Sequence, residues 1–202
     1  MKITIFTGGI VQTNGYLIET PEGNLLVDAP EGIAEWTTQR GVRIDDVLLT
    51  HQHYDHVTDA SKMKELGARL HAFEDYSMDL TLESVARGWG MPISVTPYQI
   101  DRCFLVSEPL KLAGLEFSLA HVPGHSTDSV TFYLADQGVV FSGDTLFAGS
   151  IGRTDLPGGS TTQLLGGITK HLMTLPAATK VLPGHGPGTT VGEEGKENPY
   201  LD

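Results

Sequence analysis

Short apolar runs separated by polar residues dominate the first part of the chain. The segments Ile3 to Thr7, Tyr16 to Glu19 and Leu25 to Asp28 are predicted strands. A further apolar run, Val47-Leu48-Leu49, predicts a buried strand that ends just before His51. The chain is therefore expected to open as a β-meander, and His51 is expected on a loop that follows a strand.

Helical spacing of apolar positions is found between and after these strands. Glu31 to Arg40, Asp59 to Leu66 and Asp75 to Arg87 are predicted helices, and the first two are followed by a glycine typical of a helix C-terminus. The segment Arg69 to Phe73 is a predicted strand. Strands and helices therefore alternate up to Arg87.

A second group of strands precedes a second helical region. Leu115 to Val122, Ser129 to Leu134, Val139 to Ser142 and Lys180 to Leu182 are predicted strands. Between the last two, Ser160-Thr161-Thr162-Gln163 has capping-box spacing and precedes an apolar helical stripe. Two groups of strands, each followed by helices, favour two packed sheets with helices outside them.

Composition limits the possible partners. The chain carries a net charge of −12 and only 13 Lys and Arg residues among 202. Nucleic-acid backbones are bound mainly by clusters of basic side chains, so nucleic acid is not expected as a partner. Because no linker, low-complexity tract or repeat marks a boundary, we expect a single domain over residues 1–202 that acts on a small molecule.

The N-terminal segment and the cysteine content indicate where in the cell the protein is expected. The N-terminal apolar run, Ile3 to Phe6, is too short for a signal-peptide core or a membrane span. The single cysteine, Cys103, excludes an internal disulfide and a cysteine-rich zinc site, and it is expected to be a small buried residue. We therefore expect a cytoplasmic protein without a membrane partner, and the sequence leaves its oligomeric state open.

Three His and one Asp fall within the run His51-Gln52-His53-Tyr54-Asp55-His56. Alternate residues of an extended segment point the same way, so His51 and His53 can bind one ion while Asp55 and His56 face a second. Neutral imidazole is the commonest metal ligand in proteins. The run therefore predicts a metal site on a loop between a strand and a helix.

Three further loops each carry one potential ligand after a strand-like segment. His125 lies in Pro-Gly-His-Ser, Asp144 in Ser-Gly-Asp-Thr and His185 in Pro-Gly-His-Gly. Loops that follow strands along one sheet edge can converge on a site, and the neighbouring glycines permit a tight backbone. The remaining histidines are expected to be ordinary surface or core residues: His71, His121 and His171.

Five motifs in order make the whole chain resemble the metallo-β-lactamase superfamily, and most of all its glyoxalase II-like (hydroxyacylglutathione hydrolase-like) branch. They are the His-x-His-x-Asp-His run, Pro-Gly-His-Ser, Ser-Gly-Asp-Thr-Leu-Phe, Gly-Arg-Thr-Asp and Pro-Gly-His-Gly-Pro. The resemblance implies an α/β fold of the αββα four-layer sandwich type, with two mixed β-sheets and helices on both outer faces. It also implies that one metal is held by His51, His53 and His125, the other by Asp55, His56 and His185, and both by Asp144.

This ligand set implies a metal-dependent hydrolase in which a metal-bridging hydroxide attacks a thioester such as a hydroxyacylglutathione. One metal polarises the carbonyl, the second stabilises the departing thiolate, and Asp55 orients the hydroxide or takes its proton as a catalytic residue. Two divalent ions are expected, with zinc as the default and iron or manganese as alternatives. The expected substrate is a small molecule, an anionic thiol ester.

Other activities stay open. Glyoxalase II has an added C-terminal segment that helps to hold glutathione, whereas this sequence ends at Asp202, which leaves the thiol carrier undetermined. Persulfide dioxygenases also resemble the sequence, including its Gly-Arg-Thr-Asp stretch, and use one iron held by two His and an Asp. The dipeptide Gly186-Pro187 is more typical of the hydrolases and favours hydrolysis. A metal-binding protein without catalysis is a weaker interpretation because all seven expected ligands are present.

The sequence allows two interpretations of Asp28, and two of the pair Arg153 and Asp155. Asp28 is either a turn residue or an acceptor that fixes the tautomer of a ligand histidine. Arg153 and Asp155 either form an ion pair that orders their loop or contact the substrate, and the ion pair is the favoured interpretation.

Overall fold

The computed structural model describes residues 1–201, which divide into two compact units. The first unit comprises Met1–Phe104 and Leu112–Gly114. The second comprises Leu105–Lys111 together with the chain from Leu115 onward. Each unit is built around one six-stranded sheet. The expected single domain over residues 1–202 stays a prediction.

The first unit contains a mixed sheet whose strands follow their order in the chain. Strands β1 to β3 pair antiparallel, and β3 to β6 pair parallel. Strands that pair in parallel need a crossover connection, and the helices of this unit provide it. The strands are β1 Lys2–Gly8, β2 Thr13–Thr20, β3 Gly23–Val27, β4 Asp46–Leu48, β5 Arg69–Ala72 and β6 Arg102–Cys103.

One row of apolar side chains crosses the parallel part of this sheet. Leu26 on β3 is in register with Val47 on β4, and Val47 is in register with Leu70 on β5. All three side chains are fully buried, in one cluster with Ile33 and Met63 from the neighbouring helices. Continuous apolar runs such as Val47-Leu48-Leu49 are typical of strands that are buried on both faces.

Five short helices belong to the first unit. They are α1 Ile33–Gln39, α2 Tyr54–Val57, α3 Ala60–Glu65, α4 Met78–Thr81 and α5 Glu83–Gly88. The buried Asp59 carboxylate accepts hydrogen bonds from the Gly32 and Ala34 backbone amides, 2.9 and 3.1 Å away, and thereby caps α1. The single helix predicted over Asp75 to Arg87 is wrong, because Leu82 has a left-handed backbone (φ 52°) that separates α4 from α5.

The second unit contains the other mixed sheet. Its strand order is β14-β13-β10-β9-β8-β7, with β10 and β13 parallel and β8 to β10 antiparallel. A separate two-stranded sheet joins β11 and β12. The strands are β7 Leu110–Leu112, β8 Leu115–His121, β9 Val130–Leu134, β10 Val139–Gly143, β11 Leu146–Phe147, β12 Ser150–Ile151, β13 Lys180–Pro183 and β14 Thr189–Thr190.

Two helices complete the second unit, α6 Thr161–Gly167 and α7 Val191–Glu197, and α6 continues as a π-helical turn over Ile168–Leu172. The predicted cap at Ser160 is confirmed, since its side chain accepts a hydrogen bond from the Gln163 backbone amide. Leu164, Ile168 and Leu172 form a fully buried stripe against the sheet residues Val140 and Val181. The helical period of the sequence therefore corresponds to the face that is buried.

Two smaller observations complete the description. Among the described residues, no helix is both long and apolar enough to cross a membrane. Cys103 is exposed, because β6 is only two residues long and lies at the end of its sheet. The expectation that Cys103 is buried is therefore wrong.

Candidate metal centre

The first cluster of potential metal ligands follows β4. His51 and His53 lie on the loop between β4 and α2, and Asp55 and His56 lie in the first turn of α2. The three imidazoles are buried. The ring centroid of His51 lies 4.6 Å from that of His53 and 4.1 Å from that of His56. A strand-to-helix loop therefore brings the predicted run together, as the sequence indicated.

Asp28 fixes the orientation of two of these histidines. Its Oδ2 accepts a hydrogen bond from His56 Nδ1 at 2.9 Å and from Thr50 Oγ1 at 2.8 Å. Because the Thr50 hydroxyl proton is directed at Asp28, the hydroxyl oxygen accepts from His51 Nδ1, which lies 3.1 Å away. Both imidazoles then carry their proton on Nδ1 and present the Nε2 lone pair to a metal.

Asp28 therefore fulfils both interpretations that the sequence left open. It has a left-handed backbone (φ 61°) directly after β3, as a turn residue would. Its backbone amide donates to the Leu48 carbonyl at 2.9 Å, and its Oδ1 accepts from the Thr50 amide at 2.7 Å. The parallel pairing of β3 and β4 thus places this carboxylate beside the histidines that follow β4.

Asp55 has its own partner within the first unit. The hydroxyl of Thr13, at the start of β2, donates to Asp55 Oδ2 at 2.6 Å, and the Thr13 side chain is fully buried. The same carboxylate oxygen lies 3.4 Å from His56 Nε2. Two ligand atoms on a tetrahedral zinc ion, each about 2.0–2.1 Å from the metal, are about 3.4 Å apart. The spacing of this pair therefore fits one shared ion.

The second cluster of potential ligands lies in the second unit and is centred on Asp144. Its Oδ2 is 3.4 Å from His125 Nε2 and 3.4 Å from His185 Nε2. His125 Nδ1 donates to the Arg153 carbonyl at 2.9 Å, which leaves Nε2 as the ligand nitrogen. The distance from Asp144 Oδ2 to each of the two histidine nitrogens is therefore the distance expected between two ligands of one tetrahedral zinc ion.

The backbone around His125 is packed without spare room. Gly124 has φ 127°, and a Cβ there would lie 2.5 Å from both the Leu164 amide nitrogen and the Ser160 carbonyl oxygen. A Cβ on Gly152 would lie 1.9 Å from the Asp144 carbonyl oxygen. Both positions therefore require glycine, and Gly124 is one of the glycines beside candidate ligands for which the sequence indicated a tight backbone.

Arg153 and Asp155 form the ion pair favoured by the sequence. The guanidinium donates to the two carboxylate oxygens at 2.7 and 2.8 Å, and this bidentate hydrogen bonding lowers the pKa of Asp155 to about 2. Both side chains are exposed. The pair lies in the same loop as the Arg153 carbonyl that accepts the hydrogen bond from His125 Nδ1.

The remaining histidines have other surroundings. His71 is buried and hydrogen-bonded to Asp46 at 2.7 Å, while His121 Nε2 lies 2.7 Å from the Thr127 carbonyl. Burial lowers the pKa of His71, and it also lowers the pKa of His171. Among the described residues, none of these three histidines belongs to a group able to hold a metal ion.

The donor atoms of the predicted ligands are of the kinds that bind divalent metals. Imidazoles with fixed tautomers and carboxylates are the donor set preferred by zinc and other divalent transition metals. Sequence patterns did not single out Thr13 or Thr50, although Thr50 directly precedes the first ligand. The side chains that belong to groups able to hold a metal ion are His51, His53, Asp55, His56, His125, Asp144 and His185.

Comparison with known proteins gives a consistent result. The family model described as the metallo-beta-lactamase superfamily matches residues 8–185. Hydroxyacylglutathione hydrolase GloC of Haemophilus influenzae is 35% identical over 210 residues, which span 100% of this chain and 99% of the relative.

Two solved structures are similar over nearly the whole chain. The BLEG-1 B3 metallo-beta-lactamase matches with a TM-score of 0.87 and 33% identity, covering 99% of both chains. TTHA1623 in a di-iron-bound form matches with a TM-score of 0.83 and 38% identity, covering 98% of this chain and 100% of the other. Two mixed six-stranded sheets with flanking helices are thus shared, and the predicted fold class is confirmed.

Gly124→Ala is expected to destabilise the protein by about 3 kcal/mol, because backbone strain adds to a clash with fixed backbone atoms. Gly138→Ala is the control, since Gly138 also has a positive φ but open space around its Cβ position, and it should cost only about 1 kcal/mol. Denaturant unfolding of both variants measures the difference. Equal losses would contradict the packing argument.

Thr13→Val is expected to weaken metal binding by about 10- to 100-fold, because the Asp55 carboxylate loses the hydroxyl that orients it. Thr13→Ser, which keeps the hydroxyl, should retain most of the affinity. Thr37→Val removes another buried hydroxyl, bonded to the Ile33 carbonyl at 3.0 Å, and should leave metal binding unchanged. Zinc titration against a competing chelator compares the three, and wild-type affinity in Thr13→Val would contradict the role.

Proposed function

The chain belongs to the metallo-β-lactamase superfamily and is a metal-dependent hydrolase; we propose that its substrate is a thioester of a small thiol. The observation that supports hydrolysis at a centre of two ions is the position of Asp144 Oδ2, which lies 3.4 Å from His125 Nε2 and 3.4 Å from His185 Nε2. A carboxylate with this spacing suits a bridging ligand in a centre of two ions. Such centres are typical of metal-assisted hydrolysis.

The seven candidate residues would hold the ions, and zinc is the proposed metal. When bound, such ions supply Lewis acidity and a hydroxide nucleophile near neutral pH. The proposed sharing of ligands follows the family pattern: His51, His53 and His125 for one ion, Asp55, His56 and His185 for the other, and Asp144 for both.

The protein residues around the metals perform the orienting steps. Asp28 and Thr50 hold His51 and His56 so that both present Nε2. Asp55 is the proposed catalytic residue, which orients the nucleophile or takes its proton while Thr13 holds its carboxylate. No side chain needs to form a covalent intermediate with the substrate.

The substrate proposal is supported by the relative named hydroxyacylglutathione hydrolase, at 35% identity over its whole length. The proposed partner is a small-molecule thiol ester, and the proposed location is the cytoplasm. The net charge of −12 also supports a substrate other than nucleic acid.

Zinc-loaded protein is expected to release thiol from S-D-lactoylglutathione or from S-lactoyl-N-acetylcysteamine and to contain about two metal ions per chain. Thiol release is followed with a chromogenic disulfide, and metal content by atomic spectrometry. A parallel assay measures oxygen uptake with glutathione persulfide on protein purified anaerobically. One iron per chain with oxygen uptake would overturn the proposal in favour of a persulfide dioxygenase.

Asp144→Ala is expected to lose both metals, so that the content falls from about two ions per chain to near zero. Asp136→Ala is the control, because Asp136 is an exposed carboxylate on the turn between β9 and β10. Metal analysis after equilibration with dilute zinc checks both variants. Two ions retained in Asp144→Ala would refute the bridging role.

Asp55→Ala is expected to lower kcat at least 100-fold, which is about the contribution of a positioned general base. Turnover is measured at zinc concentrations that saturate the variant, so that a weaker metal site does not account for the loss. Full turnover with both ions bound would exclude the catalytic role.

A further inference from the structure

The short hairpin of β11 and β12 lies next to His185, one of the candidate ligands in the second unit. Phe147 pairs with Ser150 directly before the two-residue turn of this hairpin. The Phe147 ring is half-buried, and its centroid lies 6.2 Å from that of the His185 imidazole, at an interplanar angle of 76°. Aromatic rings at this distance and angle attract each other edge to face. The hairpin therefore brings an aromatic side chain against a candidate ligand.

The surroundings of the two candidate histidine ligands in this unit differ. The His125 side chain is 4% exposed, and its Nδ1 is held by the Arg153 carbonyl. The His185 side chain is 27% exposed. A side chain with access to solvent keeps more of its rotamer freedom than a fully buried one. The contact with the Phe147 ring is therefore more important for the orientation of His185 than a single ring contact would be for that of His125.

The hairpin itself needs anchors, because a sheet of two strands is at best marginally stable alone. At its base, the Leu146 side chain is fully buried in the apolar core of the unit, and the Ser142 hydroxyl donates to the Leu146 carbonyl at 2.9 Å. At its turn, the Gly149 amide donates to Glu194 Oε2 at 2.9 Å. Phe147 lies between these two anchors, so the position of its ring depends on both.

The anchor at the turn comes from helix α7 and the residue after it. Glu194 Oε2 also accepts a hydrogen bond from Asn198 Nδ2 at 2.7 Å, and Glu194 Oε1 accepts one from the Thr189 hydroxyl at 2.7 Å. The same Asn198 amide group donates to the Ser150 carbonyl at 3.1 Å. Glu194 and Asn198 are only 4% and 2% exposed. Two buried polar side chains thus hold both residues that flank the end of the hairpin.

Burial makes this anchor sensitive to any displacement of the turn. A buried carboxylate is stable only when hydrogen bonds replace the water that it has lost. If the turn moved outward, Glu194 would lose the Gly149 amide, and Asn198 would lose the Ser150 carbonyl. Exposed groups would find water in place of such partners, whereas buried groups left unsatisfied destabilise the protein. The buried network therefore favours the position in which the hairpin reaches the candidate ligand.

We propose that Glu194 and Asn198 are positioning residues for the metal centre, which act on His185 through the hairpin and the Phe147 ring. The inference rests on the proposed function only in requiring that His185 binds a metal, and it does not depend on the substrate. It extends the site to helix α7, since Glu194 lies 45 positions after the glycine that it holds.

Imidazole NMR of metal-free protein with isotope-labelled histidine tests the positioning step. Glu194→Ala should shift the ring signals of His185, because the Phe147 ring withdraws, and should leave those of His125 in place. His185→Ala and His125→Ala assign the signals. Asn198→Ala keeps the bond between Glu194 and the hairpin turn, so it should give a smaller shift, and it decides the matter if Glu194→Ala does not fold. Unchanged His185 signals, or equal shifts at both histidines, would overturn the inference.

A conservative variant and a control on the same helix complete this test. In Glu194→Gln, the amide oxygen can accept both hydrogen bonds that Oε2 accepts, and the amide nitrogen can donate to the Thr189 hydroxyl. This variant should therefore keep the wild-type signals. Glu197→Ala is the matched control, because it removes an exposed carboxylate from α7. A shift in either variant as large as that in Glu194→Ala would contradict the role of the hydrogen bonds.

Zinc titration against a competing chelator tests the consequence for metal binding. Glu194→Ala and Phe147→Ala should each weaken, about tenfold, the binding of the ion that is lost in His185→Ala. The double variant should lose no more than Phe147→Ala alone, because Glu194 acts through that ring. Additive losses would refute the route through Phe147.

The titration also separates this inference from the proposed function. The expected pattern of zinc affinities in a protein that hydrolyses no thioester would refute the proposed reaction and support the positioning role. Thioester hydrolysis with wild-type zinc affinity in Glu194→Ala and Phe147→Ala would support the reaction and refute the positioning role.

Discussion

The buried Asp28 carboxylate is the interaction on which the first ligand cluster depends. An ionised carboxylate in the interior is costly unless hydrogen bonds compensate for the lost water. Here the Thr50 amide, the Thr50 hydroxyl and His56 provide them. These partners are adjacent only because β3 and β4 pair in parallel, with Asp28 directly after one strand and Thr50 two residues after the other. Sheet register and ligand orientation are thus one and the same constraint.

The parts of the fold that the sequence predicted are those with a strong local signal. The buried runs of β3, β4 and β5 and the stripe of Leu164, Ile168 and Leu172 each form the predicted element. The short strands β6, β7 and β14 were not predicted, because a segment of two or three residues without a continuous apolar run has no detectable pattern. The break at Leu82 was also missed, since a left-handed leucine is stabilised by its surroundings and not by its own propensity.

In the candidate site too, some residues could be predicted from local motifs and others could not. Histidine and aspartate in compact motifs indicated seven candidate ligands, and each of the seven belongs to a group of side chains able to hold a metal ion. Their assignment to individual metals stays a prediction. Thr13 and Asp55 are 42 positions apart and meet only through tertiary structure. No pattern in a single sequence reveals such a pair, because a buried threonine in a strand is ordinary.

The glycines next to the ligands have an evolutionary consequence. At Gly124 and Gly152 even one added carbon would meet fixed backbone atoms, so these loops cannot grow inward without moving His125 or Asp144. Ile10 and Val11, on the loop after β1, are exposed instead. Mutation can therefore alter the exposed loop in small steps, and a lineage with this architecture can vary that surface faster than the loops that carry His125 and Asp144.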